Sequence, residues 1–262
     1  MSRDPGALSL DRFLGGRLRL WQPRVGYRAA IDPVLLAAFV PARAGETALD
    51  LGCGVGTAGL CLLARVPGVE LHGLEVQADY ADLARRNGPE NGFAFRVHQG
   101  DLRTPPVELR AMTFDHVLMN PPFHRAAAAT GPRDAGRDTA HREDGADLTA
   151  WISAGLRRLR PGGSLVMIHR MERLPEILTA LNGPAGAIEA LPVTARDGRP
   201  AGRLLVRAKK GSGAPFTFFP PLTIHSGNAH MSDGDDYTDI AREILRDASE
   251  ILPDTRLSSK QT

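Results

Sequence analysis

The sequence predicts an α/β fold built on a mostly parallel, doubly wound sheet, and three observations lead to it. Short apolar segments alternate with amphipathic ones from Thr47 to Leu181, the pattern of βαβ units and hence of a parallel sheet. A glycine-rich run, Gly52-Cys53-Gly54-Val55-Gly56, follows the first of these strands and enters the first helix. Two late apolar segments flank the short turn Arg196-Asp197-Gly198-Arg199-Pro200, a connection that joins antiparallel neighbours. A chain of 262 residues, 42% hydrophobic and 24% charged, has room for one large domain with appendages and an ordinary core.

The elements follow in order. Arg17 to Trp21 alternates basic and apolar residues and reads as a half-buried strand with an arginine face. Asp32 and Pro33 suit the N-cap and first position of a helix that runs to Val40, where Pro41 stops it. Strands are expected at 47–51, 69–74, 93–98, 114–119 and 164–169, and helices at 57–66, 77–87, 148–159 and 172–181. Pro105-Pro106 keeps any helix between Asp101 and Met112 short, and Pro161-Gly162-Gly163 ends the helix before the fifth strand. The antiparallel pair spans 187–195 and 202–208, and one further helix is expected at 237–248. Three segments result: an N-terminal extension at 1–45, a core at 46–210 and a C-terminal extension at 211–262. The long irregular stretch 122–147 is of the kind that compact domains keep for function.

The glycine loop marks a nucleotide-like cofactor at a strand end. Gly54-Val55-Gly56-Thr57-Ala58-Gly59 matches the dinucleotide fingerprint literally. A pyrophosphate would sit at the helix N-terminus, where free amides favour an anion. Asp50, two residues before Gly52, is awkward beside a pyrophosphate but suits the cationic amino acid part of S-adenosylmethionine (SAM). On that ground Asp50, Gly52, Gly54 and Gly56 are assigned to SAM, with an NAD-dependent oxidoreductase as the rival class. Glu75, at the end of the second strand, is placed to accept the ribose hydroxyl protons. Asp101 is a candidate for the adenine amino group, and Tyr27 and Asp32 for a position over the cofactor. The cofactor then specifies the fold more narrowly: a seven-stranded, Rossmann-like SAM methyltransferase sheet with an antiparallel terminal strand.

The chemistry is carried by Asn120-Pro121-Pro122-Phe123 at the end of the fourth strand. Pro121 holds Asn120 extended and Pro122 fixes its own φ, so the Asn120 side chain and the Pro121 carbonyl can aim at one spot. An exocyclic or amide nitrogen is a poor nucleophile because its lone pair is delocalised. Two acceptors on its hydrogens favour a pyramidal nitrogen and direct the lone pair at a methyl group, and Phe123 can stack on a flat acceptor. No general base is needed, since the proton leaves after the nitrogen has become cationic, and most of the acceleration comes from positioning. His124 follows as a loop histidine. His98, His116 and His169 fall on separate strands and form no metal-like cluster, so no metal is expected.

With these motifs, the chain resembles class I SAM-dependent methyltransferases of the small-domain group. More narrowly it resembles the bacterial tRNA adenine-N6 methyltransferases that act on the anticodon loop of valine tRNA. The resemblance rests on Tyr27 to Ala38, the glycine loop, Asn120 to Phe123, Arg137 to Glu143, Leu148 to Trp151, and Arg203 to Lys210 with Pro220-Pro221-Leu222. It implies transfer to N6 of an unpaired adenine, with Asn120, Pro121 and Phe123 as the clamp and RNA, specifically tRNA, as partner. That family often carries Tyr at the position of Phe123, so stacking is kept and a hydroxyl is lost. The same tetrapeptide also resembles that of rRNA guanine-N2 and protein glutamine-N5 methyltransferases.

Basic residues cluster at Arg12, Arg17, Arg19, Arg24 and Arg28, at Arg125, Arg133, Arg137 and Arg142, and at Arg196, Arg199, Arg203, Arg207, Lys209 and Lys210; such clusters can hold phosphates. The net charge is only +2, which excludes a wholesale polycation. Cys53 and Cys61 match no zinc or redox spacing. With no signal-peptide pattern at Met1 to Leu10 and no apolar run long enough to span a bilayer, a cytoplasmic protein without membrane partners is expected.

Overall fold

A computed structural model describes residues 7–123, 148–227 and 236–252. His124, the four arginines between 125 and 142, and the segment Arg137 to Glu143 lie outside the described residues. A two-stranded antiparallel ribbon opens the chain, β1 (Leu8–Phe13) and β2 (Leu18–Pro23), followed by helix α1 (Asp32–Phe39). The alternating units are β3 (Thr47–Leu51), α2 (Thr57–Arg65), β4 (Glu70–Glu75), α3 (Ala78–Glu90), β5 (Phe95–Gln99), α4 (Val107–Arg110) and β6 (Phe114–Met119). Beyond the undescribed segment come α5 (Leu148–Arg158), β7 (Leu159–Arg170), α6 (Leu174–Leu181), β8 (Ala185–Arg196) and β9 (Arg203–Lys210). Two short strands, β10 (Thr217–Phe218) and β11 (Leu222–His225), and helix α7 (Asp239–Asp247) complete the described chain.

The main sheet runs β10-β8-β9-β7-β6-β3-β4-β5, with β11 also on β8. Strands β3 to β9 are the expected seven. The antiparallel one, β9, is the last of them in the chain and lies between β7 and β8 in the sheet. Beyond the expected seven, β10 and β11 add parallel to β8. Because β3 pairs with β4 on one side and β6 on the other, the strand order reverses at β3, and a crevice opens at the carboxyl ends of these strands.

Local sequence explains the layers. Strand β6 is buried along its whole length, as a central parallel strand must be. Its two polar residues find partners at the far end of the sheet from the crevice: Asp115 Oδ2 accepts from Thr47 N and Oγ1 at 2.8 and 2.9 Å, and His116 Nε2 meets Glu46 at 2.8 Å. One core cluster packs α1, α2 and α7 on one face, and the other packs α4, α5 and α6 on the opposite face. Among the described residues, no helix is long and apolar enough to cross a membrane.

Most element ends shift by a few residues from expectation, and two of these shifts have a clear local cause. Strand β7 starts at Leu159 and carries Pro161-Gly162-Gly163 within it, because a bulge shifts its register against β6 between Phe114 and His116 and Gly162 takes φ +76°. Helix α1 begins with Asp32 itself, and Ile31 occupies the cap. The Asp32 carboxylate does not cap the helix; it binds Arg203 Nε at 2.9 Å.

The outer edge of the ribbon is closed by side chains. Asn87 and Asn91, one turn apart on α3, take the places of a third strand. Asn87 accepts from Trp21 N at 2.9 Å and donates to Trp21 O at 3.1 Å. Asn91 does the same for Arg19, at 2.9 Å in both directions. An open edge is thereby protected from pairing with another chain.

Candidate active site

A cavity of about 520 Å³ lies at the carboxyl ends of β3, β4 and β6. Its floor is the glycine loop. Gly52 and Cys53 donate to Leu74 O at 2.8 and 3.0 Å, which ties the loop to β4. The Glu75 carboxylate, 6% exposed, accepts from Gly54 N at 2.8 Å and from Gln77 N at 2.9 Å. It lines the cavity and braces the loop at once. Glu75→Gln replaces one acceptor oxygen by a donor facing a backbone N–H, so SAM affinity is expected to fall at least tenfold, read by titration calorimetry; an unchanged affinity would remove Glu75 from the loop's support.

Not every predicted residue reaches the cavity. Gly52, Gly54, Glu75, Asp101, Asn120, Pro121, Pro122 and Phe123 line it. Gly56 instead packs α2 against β5: a Cβ there would stand 2.7 Å from the Phe95 ring. Asp32 is turned toward Arg203. Asp50 lies beneath the loop, where it accepts from Gly59 N at 2.9 Å. Asp101 reaches the wall with its carboxylate gripped by Arg103, at 3.0 Å from Nε and 2.7 Å from a terminal nitrogen, which holds its pKa below the ordinary value.

Burial and the nearby Glu75 charge push the Asp50 carboxyl up to about 7, against the pull of the Gly59 amide. The unfolded carboxyl titrates near 3.9. The folded state therefore holds the proton more tightly, and this contribution favours folding at acidic pH and is lost as pH rises through about 7. Asp50→Asn should flatten that loss, seen as a shallower fall of Tm between pH 5.5 and 8 than in the wild type. Equal slopes would show that Asp50 is not the titrating group.

The cavity wall opposite Glu75 is the tetrapeptide at the end of β6. Asn120 Nδ2 donates to the Tyr27 hydroxyl at 3.2 Å, and its Oδ1 is buried with no partner among the described residues. Desolvation first, then the charges of Asp32 and Asp50, push the Tyr27 phenol up to about 12, so it stays neutral. Phe123 is held on two sides. The His169 ring meets it edge-on at 5.2 Å and 75°, and the Arg203 guanidinium lies 4.6 Å from its centroid. His169 accepts from Arg170 N on Nδ1 at 2.8 Å and hydrogen-bonds the Pro122 carbonyl, while burial and Arg173 lower its pKa to about 4. A neutral imidazole with its proton on Nε2 thus fixes both the second proline and the aromatic ring.

Sequence reasoning missed His169 and the stacking of Arg203, because nothing in their spacing links them to Phe123. It also missed Trp151, which packs against Gly52 from α5 and has an indole N–H that is buried without a partner among the described residues. Many of the basic residues expected to face RNA are engaged internally: Arg28 with Asp11, Arg196 with Asp236, Arg203 with Asp32 and Arg207 with Glu189. Among the described residues, no group of three or more His, Cys, Asp or Glu could hold a metal ion.

Residues 30–183, from α1 through α6, match the methyltransferase small domain family. The chain belongs to this family. The tRNA1(Val) (adenine(37)-N6)-methyltransferase of Yersinia enterocolitica is 29% identical over 195 residues, 72% of this chain and 76% of its own. The protein of that name from Yersinia pestis strain Pestoides F is 29% identical, over 72% of this chain and 77% of its own. Among solved structures, a predicted O-methyltransferase from Agrobacterium tumefaciens superposes with a TM-score of 0.68 at 27% identity, covering 84% of this chain and 98% of that one. The 16S rRNA N2 G1207 methyltransferase of T. thermophilus, in complex with AdoMet and guanosine, shares the fold with a TM-score of 0.53 at 19% identity, over 78% of this chain and 50% of that one. This small domain protein is a SAM-dependent methyltransferase.

Proposed function

We propose that the protein methylates N6 of an unpaired adenine in tRNA, at position 37 of the anticodon loop, the activity named for the 29%-identical relatives. The observation that carries it is Asn120 Oδ1, a buried acceptor with no partner among the described residues, at the wall of the same cavity as the glycine loop. A buried carbonyl left unpaired costs about 1–3 kcal/mol, and an amino group of the acceptor is the partner that removes the cost. The roles of Asp50, Gly52, Gly54, Gly56, Glu75 and Asp101 toward the cofactor belong to this proposal, with Asp50, Gly56 and Asp32 acting indirectly.

SAM, when bound, supplies an electrophilic methyl group. Asn120 Oδ1 and the Pro121 carbonyl accept the two amino hydrogens and turn the nitrogen lone pair out of conjugation. The Pro122 carbonyl is held by His169, so the backbone on either side of the reacting position is fixed. Tyr27 keeps the Asn120 amide oriented, with its N–H side occupied and its oxygen presented. Phe123, steadied by His169 and Arg203, supplies a face on which a base can stack. An anticodon-loop adenine is already unpaired, so turning it into the site costs little.

Guanine N2 and a glutamine amide present the same pair of amino hydrogens, and product analysis separates them. The test is methyl transfer from labelled SAM to total tRNA from a strain lacking the gene, followed by nucleoside mass spectrometry. N6-methyladenosine is the expected product. N2-methylguanosine would overturn the base assignment and keep the clamp. Absence of transfer to tRNA, with SAM still bound, would overturn the tRNA assignment and redirect the search to rRNA and then to protein amides.

A further inference from the structure

A second cavity, of about 530 Å³, lies on the other side of Phe123 and is lined by Arg170, Met171, Glu172, Ala201, Gly202 and Arg203. It shares Phe123 with the cofactor cavity, so a base stacked on that ring has its neighbours in the strand at this opening. Arg170 and Arg203 are direct partners across the antiparallel β7–β9 pair. Like charges opposite one another in a ladder destabilise it, their Cβ atoms being about 5 Å apart.

The local carboxylates only partly offset this repulsion. Glu172 meets Arg170 at 3.2 Å, and with the two side chains 61% and 40% exposed the pair is screened by water and contributes little. Asp32 binds Arg203 through Nε alone, while the flat face of that guanidinium is stacked on Phe123. Two arginines held opposite one another at the mouth of a polar cavity match a group that carries a full negative charge and several acceptor oxygens. A phosphodiester fits, because guanidinium groups bind it with charge-assisted, fork-like hydrogen bonds.

We infer that Arg170 and Arg203 form a phosphate site for the nucleotide adjoining the methylated base, which sets the strand's direction across Phe123. The inference rests on the RNA reading and names the backbone contact that reading lacks. Arg203 has two roles, since it also steadies Phe123, so Arg170 is the cleaner probe.

The experiment measures binding of total tRNA to the SAM-loaded full chain across a salt series for the wild type, Arg170→Gln and Arg170→Lys, with SAM affinity and Tm recorded for each. One phosphate contact on a single-stranded segment contributes about 0.7 to the slope of log affinity against log salt. Arg170→Gln should lose about that much slope and raise the KM for tRNA several-fold, with SAM affinity unchanged and Tm no lower, since the substitution relieves the repulsion across the ladder. Arg170→Lys should keep the slope, since a point charge still meets the phosphate. A wild type that binds tRNA with a slope that Arg170→Gln leaves unaltered overturns the phosphate site alone. A wild type that binds no tRNA overturns the RNA reading and the site together.

Discussion

Asn120→Ala is expected to lower the single-turnover rate of methyl transfer by on the order of 10²–10³-fold and to leave SAM affinity within a few-fold. The substitution removes a cavity-wall acceptor that is buried without a partner among the described residues and leaves Glu75 and the loop amides it holds untouched. What is lost is orientation of the acceptor nitrogen, which matters only as the reaction proceeds, so the loss falls on kcat more than on KM. The Tyr27 hydroxyl loses its partner as well. Asn120→Asp separates the two functions of the side chain. It keeps an acceptor oxygen and loses the N–H given to Tyr27, so intermediate activity is expected. Near-wild-type turnover in Asn120→Ala would refute the clamp whatever the acceptor proves to be.

Two neighbouring glycines should fail in different ways when changed to alanine. Gly52 adopts φ +73°, and a Cβ there would stand 2.3 Å from the Trp151 ring. The left-handed backbone alone costs about 1–2 kcal/mol. Displacing a buried indole that α5 holds against the loop adds about 1–3 kcal/mol of overpacking. Gly52→Ala is therefore expected to lower Tm by several degrees and to abolish SAM binding with it. Gly54 has a similar φ, +56°, yet nothing lies within 4 Å of its Cβ position; it lines the cavity. Gly54→Ala should cost only the backbone term, keep the fold and block the cofactor. Thermal unfolding with calorimetric titration distinguishes them, and equal Tm losses would mean that the indole yields easily.

The alternation of strands and helices was legible because each βαβ unit has its own periodicity; β3 and β6 fall where the pattern puts them. Asn120 was legible because two prolines after a buried strand leave few backbone choices. The surroundings of that tetrapeptide were not, since they come from residues far away in the chain: Tyr27 lies 93 positions from Asn120, and Arg203 reaches Phe123 from a strand inserted next to β7. Acidic residues misled in a consistent way. Asp32 and Asp50 stand where a cofactor contact is plausible, but an arginine and a backbone amide compete for their oxygens and win. Strands β10 and β11 escaped notice because two and four residues are too short to show a period.

Asn87 does more than close the edge of the ribbon. Its Nδ2 also donates to Val55 O at 2.9 Å, so one fully buried amide grips the floor of the cofactor cavity and the strand that leads to Tyr27. Ordering the floor then restrains the residue that aims Asn120. Such coupling is reciprocal: cofactor and acceptor should each tighten the other's binding by the same factor. Titration of each with and without the other would show that factor in the wild type, and Asn87→Ala should bring it toward one.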